Sequence, residues 1–348
     1  MTLYNFLLNV FKEVILLKKL INNPDDIVDE IIEGFVLVNQ GTVARLGNLN
    51  VVYRLNTSVK NKVGIVIGGG AGHEPLFLEY IGEGMADVEV HGQIFTAPSP
   101  DIILEGIRIA NSGKGVILLY NNYAGDVLNF NIAQEMAIDE GIDVQTVLIN
   151  DEISSAPKER MEDRRGTTAD HIIIKIAGAA SNEGMDINSL VKLLKKAVFN
   201  SRSLGVSLSA CTLPQTGMAT FTLEEGKMEF GMGLHGEAGV RKVDLMTADD
   251  TAKSILDYII DDLPFKKGDE VIVIVNSYGS TTRMEMFIVT RKIYSYLKEK
   301  GISIYSAEVG EFCTSQEMAG ISITLIKLDD EIKKFYNMPA NSPFYKKL

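Results

Sequence analysis

The chain contains no tryptophan, two cysteines, four histidines and only 7% aromatic residues across 348 positions. Each shortage excludes something. Cys211 and Cys313 lie far apart in sequence and fall in no metal-ligand spacing. They read as two reduced thiols of a cytoplasmic protein, not as a disulfide framework. The histidines, His73, His91, His171 and His235, form no i,i+4 pair and no His-x-His step, so no metal site is expected. Positive charge is also scarce, with 34 Lys and Arg against 46 Asp and Glu, a net charge of −12. A phosphate backbone needs a basic footprint, so direct contact with DNA or RNA is excluded. No membrane span or secretory leader is expected either. The apolar N-terminal stretch is broken by Lys12 and Glu13 and has no basic opening. In it Leu3, Phe6, Leu7, Val10, Phe11, Val14 and Leu17 recur at helical spacing. Residues 1–16 therefore read as an amphipathic extension docking on the body or a second subunit, with membrane-surface binding as the competing use.

What is present is an ordinary globular composition, 46% hydrophobic and 23% charged, at a length that suits about two domains. Short β-branched runs alternate with longer helical patterns, as in parallel α/β sheets. Val63–Ile67, Val116–Leu119, Val144–Ile149, Val271–Val275 and Ile302–Tyr305 are the expected strands. Helices are expected over Asp25–Val38, Pro100–Ala110, Ile132–Glu140, Ala169–Glu183, Asn188–Leu204 and Ser280–Lys300. A hairpin of Thr220–Leu223 with Lys227–Phe230, turned at Glu225-Gly226, breaks the rhythm and suggests a second domain of mixed strands. The division expected is 17–198 for the first domain and 199–314 for the second, with 315–348 packing back onto the first.

Glycine is in excess, at 31 residues against the usual ~7% of a chain, and it is concentrated. In VGIVIGGGAGHEP an apolar strand runs into Gly68, Gly69, Gly70 and Gly72, then delivers His73 and Glu74. Glycines after a parallel strand let backbone N–H groups approach a ligand, although a sharp strand exit explains them equally well. The dinucleotide fingerprint fits badly, because His73 stands where its last glycine belongs. A second strand, GVILLY, leads into Asn121-Asn122-Tyr123-Ala124-Gly125-Asp126. Asp126 can serve as a base or orient a hydroxyl, and a plain turn or helix cap competes. In the third motif, Gly231, Gly233, Gly236 and Gly239 surround His235, with Glu237 two residues on. So open a backbone is unusual for a core histidine, which favours function. At an unperturbed pKa of ~6.5 the ring is largely neutral at pH 7 and can act as base, ligand or nucleophile. His171 precedes the apolar Ile172–Ile174 run and reads as structural; His91 follows a strand-like segment and carries little information.

Taken in order, GGGAGHEP, FTAPSPD (Phe95–Asp101), NNYAGDVLNF (Asn121–Phe130), Arg164-Arg165-Gly166, SACTLP (Ser209–Pro214), MEFGMG, GLHGEAGV and CTSQEMAGISITLIKLDD (Cys313–Asp330) resemble the dihydroxyacetone kinase family. The likeness is to its K subunits, the substrate-binding component of the phosphotransferase-dependent system, and runs from Leu17 to the C-terminus. It implies that family's fold of two α/β domains with mixed and parallel sheets, in a cytoplasmic homodimer. It implies that His235 adds through a ring nitrogen to the ketone of dihydroxyacetone, giving a covalent hemiaminal. Glycerol, which has no carbonyl, would be rejected. His73 and Asp126 would hydrogen-bond the substrate, Asp126 also serving as acid/base. Gly70 would contribute a backbone contact, with Gly72 and Asn121 beside it. No cofactor is expected on this chain, since ATP or ADP would sit on a separate L subunit.

The chain departs from the pattern of active K subunits at several positions. Asn121 stands where they carry lysine, and an amide cannot supply that charge to phosphoryl transfer. Arg160-Met161-Glu162-Asp163 replaces a Tyr-Thr-Ala-Gly run, Gly-Ala-Gly-His replaces Gly-Ser-Gly-His, and Gln93 stands for a glutamate. These changes resemble DhaQ-type paralogues, which bind dihydroxyacetone without phosphorylating it. Such proteins act as coactivators with a TetR-type regulator of the kinase operon. The competing expectation is an active kinase subunit in which Arg164 or Arg165 makes good the missing charge.

Overall fold

The computed structural model describes residues 18–55 and 61–348. The expected amphipathic helix over residues 1–16 lies outside them. Helix α1 (Ile27–Val38) leads into the first sheet, made of β1 (Val43–Arg45), β2 (Val51–Arg54), β3 (Gly64–Ala71), β4 (Val88–Ile94), β5 (Val116–Asn121) and β6 (Val144–Ile149). Their spatial order is β1-β2-β4-β3-β5-β6. The four strands from β4 to β6 are parallel, while β1 and β2 add an antiparallel edge. After β3 the chain first places β4 on one side and then crosses to place β5 on the other. In open parallel sheets that reversal opens a crevice at the strands' carboxyl ends. Helices α2 (Pro100–Ala110) and α3 (Ala124–Asp139) make the two crossovers and cover one face.

Helices α4 (Asp170–Asn182) and α5 (Ile187–Phe199) cover the other face. Twelve consecutive residues of α4, from Asp170 to Ser181, are buried. A helix apolar all round belongs inside a core, and α4 lies between two sheets. The second sheet comprises β7 (Ser201–Ser209), β8 (Lys227–Phe230), β9 (Arg241–Asp244), β10 (Glu270–Ser277), β11 (Ser303–Gly310) and β12 (Ala319–Lys327), in the order β11-β10-β12-β7-β8-β9. Only β10 and β11 run parallel. Its outer face carries α6 (Ala248–Asp262) and α7 (Arg283–Lys300). Helix α7 begins in a Thr282/Glu285 capping box and ends on the left-handed Gly301. Ile65, Ile117 and Leu119 of the first sheet share one cluster with Ile272, Ile274 and Ile326 of the second. The layers therefore run helix, sheet, helix, sheet, helix, and the two sheets share their central core.

Several expectations need correction. The helix expected over Asn188–Leu204 stops at Phe199, and Ser201–Leu204 open β7, the strand next to β12. The apolar residues of this stretch fit either period, which is the ambiguity of a short buried run. Thr220–Leu223 is not a strand. Lys227–Phe230 pairs with β7 and β9 instead, although the turn at Gly226 (φ 73°) is present. Helix α3 starts at Ala124, eight residues before the expected Ile132, so Asp126 lies in its first turn. The 315–348 segment is split: β12 runs through the second sheet, and only the part beyond it returns to the first. There α8 (Asp330–Asn337) packs on α4, and Asn341 bridges Glu83.

Candidate active site

The carboxyl ends of β3 and β5 meet the His235 loop in a small pocket lined by Gly68, Gly69, Gly70, His73, Phe77, Asn121, Tyr123, Asp126, Leu234 and His235. The cavity measures about 20 Å³, close to the minimum for a single water and far below the ~300–1,000 Å³ of sites for drug-sized ligands. A nucleotide does not fit, and even a ligand of a few carbon atoms must extend into the open mouth or push the lining side chains apart. Of the six residues singled out from sequence, Gly70, His73, Asn121, Asp126 and His235 converge here. Gly72 does not line the pocket. With φ at 97° it turns the chain, its N–H donating to Glu74 and its carbonyl accepting from Gln316.

His73 is 4% exposed and stacks on Phe95 with ring centroids 4.9 Å apart. Its Nδ1 lies 2.7 Å from the Thr314 carbonyl oxygen. Thr314 belongs to the β11–β12 connection, so a loop of the second sheet fixes a histidine of the first. Burial, reinforced by the charge of His235, lowers the His73 pKa to about 4. Its ring is therefore neutral near pH 7. The carbonyl can only accept, so Nδ1 carries the proton and Nε2 is a bare acceptor. That Nε2 lies 3.0 Å from Nε2 of His235.

His235 is boxed on three sides by the rings of His73, Phe95 and Tyr123, each with its centroid 4.8–5.0 Å away. Its Nδ1 is 3.1 Å from Glu237 Oε1, and its backbone N–H donates to Oε2 of the same carboxylate at 3.0 Å. A Cβ at Gly233 would push aside the ends of the Glu237 and Arg165 side chains. Burial pushes Glu237 upward, but the hydrogen bond and charge of His235 outweigh it and hold the carboxyl at about 2. Glu237 is thus an anion and Nδ1 of His235 donates to it. The two Nε2 atoms sit 3.0 Å apart, and any proton between them is one that His235 brings, because His73 has none there.

Three polar atoms around the pocket lack partners among the described residues: Asp126 Oδ1, Tyr123 Oη and Asn121 Oδ1. Buried polar atoms are rarely left so, and a hydroxylated ligand supplies what they lack. Burial raises Asp126 to about 6, opposed by the charge of His235. Asn121 donates to Asp170 at 2.9 Å, and burial followed by the charge of Asp151 pushes that carboxyl far up. Among the described residues, no lysine or arginine lines the pocket. Arg164 is committed to Asp262 and Ala156, while Arg165 binds Glu152 and comes only within 3.9 Å of Glu237. His171 is walled into the core against Glu308. His91 is also buried, 2.6 Å from Glu89 and 3.6 Å from Glu74.

Sequence reasoning missed Tyr123, Phe77, Phe95 and Thr314 as parts of the site. Tyr123, Phe95 and Thr314 each stood inside a quoted motif. Nothing local marks the role of Thr314, whose contact with His73 spans 241 positions.

The fold and pocket define a two-sheet α/β protein with a small, histidine-bearing polar site at the switch point of its first sheet. The chain belongs to the dihydroxyacetone kinase family: the Dak1 domain matches residues 33–344. It is 42% identical over 331 residues to the dihydroxyacetone-binding subunit DhaK of a phosphotransferase-dependent kinase from Listeria innocua, covering 95% of this chain and 99% of that one. The dihydroxyacetone kinase structure from C. freundii superposes with a TM-score of 0.88 at 30% identity. That match covers 95% of this chain, which spans only 61% of the longer enzyme. A dihydroxyacetone kinase operon co-activator matches with a TM-score of 0.86 at 31% identity, covering 92% and 98% of the two chains.

Proposed function

We propose that the chain captures dihydroxyacetone as a covalent hemiaminal on Nε2 of His235. The observation that carries this reading is the Nε2–Nε2 contact, which pairs a proton-bearing ring with a bare acceptor beside three unsatisfied polar atoms. As the ligand's carbonyl carbon replaces the proton on His235 Nε2, that proton passes to His73. His73, a strong acid once charged because burial disfavours its cation, returns the proton to the carbonyl oxygen. A C–N bond forms, the C=O π bond becomes C–OH, and the net charge of the ring is unchanged, with Nδ1 still against Glu237. Asp126 and Tyr123 take the ligand's hydroxyls.

The capture serves sensing here, in a coactivator of the DhaQ type working through a TetR-type regulator, with the chain acting as a homodimer. What supports this is that no lysine or arginine among the described residues lines the pocket: Asn121 is tied to Asp170, and both arginines of the Arg164-Arg165 pair are engaged elsewhere. Phosphoryl transfer depends on such charge. The second reading, an active K subunit served by nucleotide on an L subunit, is favoured by the 42% identity to a kinase subunit.

Two experiments test these steps. Borohydride trapping with dihydroxyacetone followed by intact-mass analysis is expected to show one adduct, absent in His235→Ala. An adduct that survives the substitution overturns the covalent assignment. With L subunit and the phosphoryl-donor chain added, no dihydroxyacetone phosphate is expected. Turnover at ordinary kinase rates rejects the sensor reading in favour of the kinase.

A further inference from the structure

Away from the histidine pocket, a cavity of about 410 Å³ opens beside the antiparallel edge of the first sheet, with Thr42, Arg54, Glu83, Ser342 and Lys346 in its wall. Arg54, the last residue of β2, is 5% exposed. Its Nε donates to Asp87 at 2.7 Å. The rest of that carboxylate is occupied by Lys62 and by the Ile65 N–H. One carboxylate thus faces two buried cations. The Lys62 pKa is lowered, by burial first and in part by the charge of Arg54. Among the described residues, no acceptor meets the terminal nitrogens of Arg54, and Nη2 is shut off from water. A buried guanidinium left this way is a group waiting for an anion.

The surroundings match. Ser342, 4% exposed, accepts from the Tyr345 N–H through Oγ, so its hydroxyl proton has no partner among the described residues. Lys346 brings a second cation to the same wall. The Nη1 edge of a guanidinium, a hydroxyl and an ammonium offer more donors than the two oxygens of a carboxylate accept, and they suit the oxygens of a phosphate. Glu83, exposed on the rim, repels further negative charge and so disfavours nucleoside di- and triphosphates. We propose that this cavity is a second ligand site that binds a small phosphomonoester, its phosphate on Arg54, Lys346 and Ser342 and its uncharged tail toward the opening. The site shares no residue with the histidine pocket, so it stands independently of the carbonyl-capture reading.

Isothermal titration of the full chain with glycerol 3-phosphate and with inorganic phosphate, at fixed ionic strength with chloride as control, tests the proposal. Saturable binding of glycerol 3-phosphate with a dissociation constant of about 1 mM or tighter is expected, inorganic phosphate binding more weakly because it leaves the cavity half filled. Arg54→Lys keeps the charge and removes the Nη1 donor, and is expected to weaken binding roughly tenfold or more while borohydride-trapped adduct still forms. Should that variant fail to fold, Lys346→Glu and Ser342→Ala carry the test from less structural positions. Lys346→Glu is expected to abolish binding, and His235→Ala to leave it unchanged. No saturable heat up to about 10 mM of either compound overturns the proposal, as does binding that Lys346→Glu leaves intact.

Discussion

Two glycine-flanked histidines face each other across the pocket, one from each sheet, in surroundings that differ in kind. His73 follows a strand buried at every residue but Gly70, has almost no exposed surface and is held at Nδ1 by a carbonyl. His235 sits on an open loop, its side chain 25% exposed, and is held at Nδ1 by a carboxylate. A carbonyl fixes a tautomer and gives no charge compensation. A carboxylate fixes the same tautomer and stabilises the cation. Residue type alone therefore does not divide the labour. In the proposed capture, the Nδ1 partner suits one ring to carrying a proton and the other to serving as the nucleophile.

That contrast breaks first at His73. His73→Asn keeps a donor for the Thr314 carbonyl but removes the Nε2 acceptor. The rate of adduct trapping is expected to fall by about 10²–10⁴-fold, the usual worth of a positioned proton carrier. Wild-type rates in that variant would show that His235 needs no relay. Glu237→Gln attacks the other side more gently, because the amide oxygen still accepts from Nδ1 yet carries no charge. A loss of about tenfold in adduct stability is expected, from one charge-assisted hydrogen bond reduced to a neutral one. If Glu237→Gln costs more than His73→Asn, the asymmetry between the loops has been assigned the wrong way round.

The same contrast explains what could be read in advance. The β3 and β5 strands, the glycine loops and the five converging site residues were legible because each is local: an apolar run, then glycines, then a polar side chain. The tighter features were not. Ser201–Leu204 is as apolar as the helix before it, and only pairing with β12 decides that it is a strand. The Thr314 carbonyl leaves no side-chain signature, since any residue offers one. Asn121 was legible as a missing charge, but its bond to Asp170 needed the buried α4 to be placed first.

The smallest expected effect tests the ligand side of the comparison through pH. Asp126 belongs to the His73 side and titrates near 6, raised by burial and only partly offset by the charge of His235. Above that pH its carboxylate accepts a hydrogen bond from a ligand hydroxyl. As pH falls through 6 it takes up a proton, and capture should weaken by about threefold to tenfold, because a neutral acid still bonds, less strongly. A second loss is expected near pH 4, where His73 is protonated and can no longer accept from His235. Asp126→Asn removes the upper step and leaves the lower one. Trapping rates measured from pH 8 down to that limit separate the two, because the carboxyl and the ring are replaced independently. An upper step that persists in Asp126→Asn would move the ligand contact to another group, and Tyr123, whose hydroxyl also lacks a partner, could not be that group, since burial raises its pKa far out of the range.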